Sequence, residues 1–386
     1  MNSNKQLYWL IAILFFIVGC GSTTTVEESV DTSSSEFNWN LPNNVFPPII
    51  PSSNPITDEK VELGRYLFYD KKLSSNQTQS CESCHFQENA FADHNIVGIG
   101  STGIHHVRNP NGLTNTAYYN SYGWADPTIT TLEDFIIKPI TGDTPIELGT
   151  TADKEHEVLA RFKNDGNYQE LFALAFPDIK NPFTLEYIVK ALASFARTLN
   201  SFNSPYDQYI TGDKTVLTPS QIRGMNLFMG EKAECFHCHD GIHFSDSTAN
   251  SKSFQNVQFF HNIGLYNLNN DGSYPLNNQG LYEITKEDKD KGKFKAPTLR
   301  NIALTNPYMH DGSIATLEEV IELHSNGGRV ITEGNNEGDG TQNPYKDDLI
   351  VANYFTDEEK EDLVNFLKAL TDTEFINNPK LSNPFK

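Results

Sequence analysis

Residues 81–85 read Cys-Glu-Ser-Cys-His, and residues 235–239 read Cys-Phe-His-Cys-His. Each unit places two thiols with two residues between them and an imidazole directly after the second. The chain has five cysteines, and all but Cys20 fall inside these two units. Three chemistries compete for such a unit: a redox-active thiol pair, half of a zinc site, and covalent attachment of a haem. A thioredoxin-like pair needs a βαβ context, and no such pattern surrounds either motif. A four-cysteine zinc site draws its pairs from nearby sequence, whereas much of the chain separates Cys84 from Cys235. The trailing histidine suits the third chemistry, in which two thiols add to haem vinyl groups and the adjacent imidazole coordinates the iron. Two haems c are therefore expected, one on Cys81, Cys84 and His85 and one on Cys235, Cys238 and His239.

The surroundings repeat as well. TDEKVELGRYLF (57–68) precedes the first motif and TPSQIRGMNLF (218–228) the second, sharing a G-x-x-L-F core at Gly64–Phe68 and Gly224–Phe228. Both read as amphipathic helices entered through a threonine cap, Thr57 and Thr218, with Pro219 at the first helical position. Further helices are expected over 154–175, 184–199, 316–324 and 356–370, the last opened by a capping box from Thr356 to Glu359. Strand alternation is scarce, and Asn/Gly-rich loops fill 245–293 and 325–350. The expected fold is mainly α, with two cytochrome c-like domains, each carrying one covalently bound c-type haem wrapped by long loops.

The first residues set the compartment. An apolar run from Leu7 to Val18 fits the h-region of an export signal, and Ile17-Val18-Gly19-Cys20 resembles a lipobox. Residues 1–19 are expected to be a lipoprotein signal peptide, with Cys20 the lipidated residue. Residues 20–45, rich in Ser, Thr and acidic side chains, form a flexible tether. The body then divides into an N-terminal haem domain over 46–212 and a C-terminal one over 213–386, whose last helix or tail can pack back on the first. A net charge of −21 argues against nucleic acid and against docking on an anionic bilayer, so membrane contact is through lipid alone. The expected location is the periplasm or cell envelope.

LGRYLFYDKKLS, CESCHFQENAFAD, RNPNGLTN, LVNFLKALTD and the block KFKAPTLRNIALTNPYMHDGSIATLEEVIELHSNGG together resemble the bacterial di-haem cytochrome c peroxidases, nearest to their MauG-type branch. The resemblance runs from about Ile56 to Asp372. It implies a peroxidatic haem in the N-terminal half and an electron-transferring haem in the C-terminal half. In KPITGDTPIELG it places the acid/base glutamate at Glu147 and the distal-wall proline at Pro139, after a short insertion. Phe135 stands where the family often has Gln. Trp124 matches a tryptophan between the haem edges. A calcium ion is implied at Asn109, through its side chain, and at Thr305 and Pro307, through their carbonyls.

Two further positions depart from the family. Sixteen residues after His85, where many members have a closing histidine, stands Ser101, so the first iron is expected to be open. His105 and His106 follow and could substitute if the loop is displaced. Fourteen residues after His310, where peroxidases have Met and MauG-type oxidases Tyr, stands His324, an expected iron ligand of the second haem, with Met309 as the competing reading. His94 and His243 read as surface residues or outer neighbours of the sites. The resemblance implies a peroxidase that reduces hydrogen peroxide to water with electrons from a small exported cytochrome c or blue copper protein. A MauG-like oxidase that modifies a partner protein and a di-haem electron carrier are the alternatives. Homodimerisation, frequent in the family, is left open.

Overall fold

The computed structural model describes residues 37–253 and 257–386. The signal segment, Cys20 and most of the tether lie outside the described residues. The helices are α1 (Asp58–Tyr69), α2 (Leu132–Thr141), α3 (Glu155–Lys163), α4 (Gly166–Ala175), α5 (Leu185–Ala196), α6 (Pro205–Thr211), α7 (Pro219–Phe228), α8 (Tyr282–Thr285), α9 (Leu317–Asn326), α10 (Asp357–Lys368) and α11 (Thr373–Ile376). Among the described residues the only sheet is the antiparallel pair β1 (Val330–Ile331) and β2 (Gly338–Asp339), with Val330 opposite Asp339. The long loops contain several single 3₁₀ turns. Among the described residues no helix is long and apolar enough to cross a membrane.

The expected caps are present. Thr57 accepts from the amide of Lys60, Thr218 and Gln221 form a capping box, and Thr356 and Glu359 form another. The segment expected as one helix over 154–175 is two. Asp165 accepts hydrogen bonds from the amides of Asn167 and Tyr168, which starts α4 afresh and ends α3 at Lys163. Four helices were not anticipated, among them α8, a single turn within the loop expected over 245–293. α2 carries Pro139 near its C-terminal end, α6 opens on a Ser204–Asp207 capping box, and α11 is a single turn.

Two helix crossings explain the repeated G-x-x-L-F core. A Cβ on Gly64 would lie 2.0 Å from the carbonyl oxygen of Ala191 in α5. One on Gly224 would lie 1.9 Å from that of Asp362 in α10. Only a bare Cα lets each helix pair approach so closely. The leucine and phenylalanine of each core turn the rest of that helix face into an apolar cluster. One cluster holds Leu67, Phe68, Phe91, Phe162, Phe172 and Phe195, and the other Phe228, Phe244, Leu363, Phe366 and Leu370. Both lie within one compact unit, residues 37–386.

After α10 the chain returns to the first cluster, which includes Phe375 and Leu381. Tyr69 Oη donates to the Leu381 carbonyl at 2.6 Å, and Arg65 to that of Ser382 at 3.0 Å. Between the clusters runs a seam of buried polar groups. Asp372 accepts from Ser201 Oγ and the Asn203 amide, each at 3.0 Å, and its own amide donates to Asn301 Oδ1 at 2.7 Å. Beside the seam Arg300, 1% exposed, makes a bidentate pair with Asp207, both contacts at 2.8 Å. Breaking such a pair on one side strands a buried charge.

Gly224→Ala is expected to lower the unfolding free energy by about 1–3 kcal/mol, the range for overpacking a core. Helix propensity alone would raise it by about 1 kcal/mol. Chemical denaturation decides the sign; a stabilised variant would mean that the α7–α10 crossing is not sterically closed.

Candidate haem sites

Both Cys-x-x-Cys-His units fold into the same short turn. The amide of His85 bonds to the Cys81 carbonyl at 3.1 Å, and that of His239 to the Cys235 carbonyl at 2.9 Å. None of the four cysteines is paired in a disulfide in this structure. Each imidazole is fixed from behind. His85 Nδ1 donates to the Phe91 carbonyl and His239 Nδ1 to the Phe244 carbonyl, both at 3.0 Å. Both phenylalanines are fully buried in the left-handed region, at φ +60° and +52°. The bond leaves Nε2 as the outward, lone-pair nitrogen in each ring. Burial holds both imidazoles below their usual pKa, hence neutral and able to bind a metal.

The second unit opens into an apolar cavity. Cys235, Cys238 and His239 line one side; Leu317, Val320, Ile321 and His324, all on one face of α9, line another. Gly327, at φ +68°, ends α9 with a turn that returns the Gly328 amide to the Leu323 carbonyl at 3.0 Å, holding the last turn in register. Burial, reinforced by the nearby His239, lowers the pKa of His324 to about 4. Met309 also lines this cavity, at φ +73°, so both sequence candidates for the distal position are present.

A flat apolar macrocycle with carboxylate arms suits these residues, and Lys295 carries the best sign of it. It is 3% exposed, lines the cavity, and has only the Ser121 carbonyl at 3.0 Å and the Tyr119 ring at 3.5 Å as partners. Burial pushes its pKa down to about 7, so an anion placed beside it would be strongly held. His261 is clamped between Asp246 and Asp347, at 2.7 Å from each. Burial opposes its charge, but the two carboxylates prevail and raise its pKa to about 12.

Trp124 borders the same cavity. Its indole donates to the Asn109 carbonyl at 2.8 Å and meets His310 edge-on at 6.4 Å. His310 stacks on Phe294 at 3.6 Å, and its buried Nε2 has no hydrogen-bond partner. Asn109 gives its two side-chain protons to the carbonyls of Asn95 and Ile96, each at 3.1 Å, leaving Oδ1 for another partner. Its backbone amide reaches the carbonyl of His310, two residues beyond the Tyr308 that follows the cis Asn306–Pro307 bond, while the Thr305 hydroxyl turns to the Ile302 carbonyl.

The first unit lies in a recess that also holds Glu147. Glu147 lies close enough to Cys81 and Cys84 for its charge to raise both thiol pKa values, which burial has already moved upward. Its segment is tied down on two sides. The Leu148 amide donates to the Pro139 carbonyl at 2.9 Å, and the Ser101 amide to the Glu147 carbonyl at 2.8 Å. The carboxylate keeps 46% of its side-chain surface, yet the protein mass around this recess raises its pKa to about 7. The exposed part is the mouth of the recess; its walls displace enough water to penalise the charge. Two buried oxygens nearby, Ser101 Oγ and Asp93 Oδ2, have no partner. His106 Nδ1 lies 3.7 Å from Glu147 Oε1, whereas His105 is exposed.

Other histidines fall elsewhere. His94 is exposed and stacks on Phe86. His243 is buried against Tyr118 at 4.1 Å, with its pKa lowered to about 3 by burial and by Arg300. Phe135 stacks on Tyr122 at 6.1 Å in a small cluster with Ile129 and Leu132. Lys295, His261 and the Arg300–Asp207 pair were not anticipated. A lysine and an arginine inside the apolar run KAPTLRN were the available signal; the partners Asp207, Asp246 and Asp347 are too distant in sequence to have been paired.

Residues 58–215 match the family described as di-haem cytochrome c peroxidase. The chain is 32% identical over 345 residues, 85% of each chain, to cytochrome-c peroxidase IdrP1 of Pseudomonas sp. (strain SCT). It is 31% identical over 273 residues, 70% of this chain and 74% of the other, to the methylamine utilization protein MauG of Methylophilus methylotrophus. Among solved structures, a MauG-like protein associated with microbial copper homeostasis is 46% identical, with a TM-score of 0.89 over 91% of this chain and 100% of that one. The di-haem peroxidase BthA of Burkholderia thailandensis E264, at 20% identity and TM-score 0.64 over 90% of this chain and 93% of the other, shares the fold. The chain belongs to the di-haem cytochrome c peroxidase family and is a peroxidase-type oxidoreductase.

Proposed function

We propose that the chain carries two haems c and draws oxidising equivalents from hydrogen peroxide to oxidise a partner protein in the cell envelope, as a MauG-type enzyme. The supporting observation is the asymmetry of the two sites. One faces a carboxyl group with a raised pKa, and the other is a cavity lined by two imidazoles held neutral by burial. A carrier of electrons gains nothing from the first.

When bound, haem would supply a redox-active iron at each unit. The thiols of Cys81 and Cys84 and of Cys235 and Cys238 form the thioether bonds. His85 and His239 would ligate the irons, and His324 would supply a further ligand at the second site. Glu147 takes the proton that peroxide loses on binding and returns it to the departing oxygen, so that water leaves. Pro139 holds the Glu147 segment through its carbonyl. Trp124, beside the second site and bonded to Asn109, is suited to carry charge between the two. Lys295 would pair with a carboxylate of the second haem. Calcium at Asn109, Thr305 and Pro307 and lipid at Cys20 complete the proposal.

Reduction of peroxide by a small cytochrome c or cupredoxin is the second reading, favoured by the names of the curated relatives. His324 weighs against it. Imidazole in place of thioether favours the ferric state, which weakens the pull on a high-potential donor. The 46% identity to a MauG-like protein weighs the same way. That protein's association with copper homeostasis makes a copper-handling envelope protein the partner class to test first.

Glu147→Gln is expected to keep both haem spectra and to lose turnover about a hundredfold or more. Because the carboxyl acts first as a base and its pKa is near 7, the parent's reaction with peroxide should speed up as pH rises through about 7. Stopped-flow mixing across pH reads this; a flat profile that the substitution leaves unchanged assigns the proton work to another group. His324→Met and His324→Ala should each alter the low-spin signal and the potential of the second haem in EPR and redox titration. If both leave them untouched, Met309 or another group is the ligand.

The resting ferric protein should contain one high-spin haem and bind cyanide without prior reduction. Two low-spin haems at rest would show that a histidine of the 98–106 loop closes the first site.

A further inference from the structure

The cavity proposed for the second haem is walled by aromatic rings, and nothing in the proposed chemistry uses the two tyrosines among them. His310 lies face to face with Phe294 at 3.6 Å, and Tyr274 stands 6.2 Å from each; all three line the cavity. Tyr266 lies behind Tyr274, with ring centroids 5.4 Å apart at 80°, an edge-to-face contact. Both tyrosines are buried. A Cβ on Gly292 would lie 2.1 Å from Tyr274 Cε2, so backbone presses on that ring and holds it in place.

The two hydroxyls have different partners. Tyr274 Oη donates to Asn262 Oδ1 at 2.8 Å and accepts from the Leu265 amide at 3.2 Å. The Asn262 oxygen also takes the Gly264 amide at 2.9 Å, and an amide oxygen is too weak a base to keep a proton. Tyr266 Oη donates instead to a carboxylate oxygen, Asp311 Oδ2, at 2.7 Å. Asp311 Oδ1 is held by the Ser313 amide at 3.1 Å. Asp311 Oδ2 lies 3.9 Å from His310 Nε2, which is buried and has no hydrogen-bond partner. Burial and Asp311 push the pKa of Tyr266 up to about 12, so the phenol keeps its proton at rest. A buried phenol gives up an electron readily only if its proton leaves too, because a bare cation in an apolar cluster is costly. Of the two tyrosines, Tyr266 alone has a base in place for that proton.

We propose that Tyr266 is a redox-active tyrosine that holds one oxidising equivalent derived from peroxide, with Asp311 as its proton acceptor. The inference rests on the reading of the chain as a peroxide-driven oxidase. One electron leaves the Tyr266 ring and passes, by way of Tyr274 beside the cavity, to the oxidised haem pair. The Tyr266 O–H bond breaks, and its proton forms an O–H bond on Asp311 Oδ2. Return of the electron and the proton restores both residues. Reduction of one peroxide to water takes two electrons, and Tyr266 supplies one of them. The tyrosine–aspartate pair passes from one negative charge to none, so no new charge is buried. An equivalent held there is shielded from solvent, one ring away from the cavity, while no partner protein is docked.

The test mixes the haem-loaded protein with hydrogen peroxide in the absence of any partner and freezes it for EPR. The parent is expected to give an organic radical signal that narrows when the protein is made with ring-deuterated tyrosine. Tyr266→Phe and Asp311→Asn should both lose that signal while their resting optical and EPR haem spectra match the parent. Asp311→Asn leaves the Tyr266 hydroxyl an acceptor but removes the base, a difference that a merely structural role would not register. Spin trapping followed by peptide mass mapping should place the adduct on Tyr266. If peroxide changes the haem spectra of parent and variants alike, yet the radical is absent or survives Tyr266→Phe, the tyrosine assignment is wrong and the peroxide reading stands. A signal lost in Tyr266→Phe but kept in Asp311→Asn would send the proton elsewhere and overturn the pairing. If peroxide leaves the parent's haem spectra unchanged, both readings fall together.

Discussion

Each half of the molecule is organised around one hydrogen bond, from the histidine of its Cys-x-x-Cys-His turn to the carbonyl of a left-handed phenylalanine. A buried imidazole can present either nitrogen, and only one choice leaves the other aimed outward. The carbonyls of Phe91 and Phe244 make that choice. They reach the rings because both phenylalanines accept a conformation that costs an L-residue about 1–2 kcal/mol. Their side chains recover this by complete burial among the aromatics contributed by the helix before each motif. Helix, turn and strained phenylalanine therefore form one unit, and the chain contains it twice.

The two units are alike in backbone and opposed in surroundings. The second is enclosed by α9, whose last turn brings His324 toward His239. The first faces a loop, with a carboxylate in place of an opposing imidazole. This division follows from what lies after each motif. The chain past Phe91 stays in irregular structure through residues 94–131, whereas the chain past Phe244 eventually supplies a capped helix to the cavity wall. The polar seam of Asn301, Ser201 and Asp372 keeps the halves in register without filling the gap between their apolar clusters.

Much of this was legible from residues alone. The thiol–imidazole spacing, the threonine caps, the capping box at Thr356 and the scarcity of strands are local signals, and local signals survive folding. The repeated glycine was visible, but its reason was not, because the carbonyls of Ala191 and Asp362 that it touches lie far away in sequence. The helix break at Asp165 was missed because apolar periodicity continued across it while a side chain recapped the backbone. α2 was missed because Pro139 reads as a breaker, although it stands near the helix end, where one lost hydrogen bond is tolerated. His261 and Arg300 draw their character from carboxylates that only the tertiary fold brings near.

The return of the C-terminal segment bears on the order in which the molecule is completed. Phe375 packs on Phe91 at 5.5 Å, directly behind the carbonyl that orients His85. The first motif precedes Phe375 in the chain by more residues than the second does, so its backing is made only after the whole of the second motif. Until then that half lacks part of its apolar wall. The second motif waits much less, since its partner helix α10 precedes the returning tail. The first half therefore stays incomplete until the segment after α10 packs back on it.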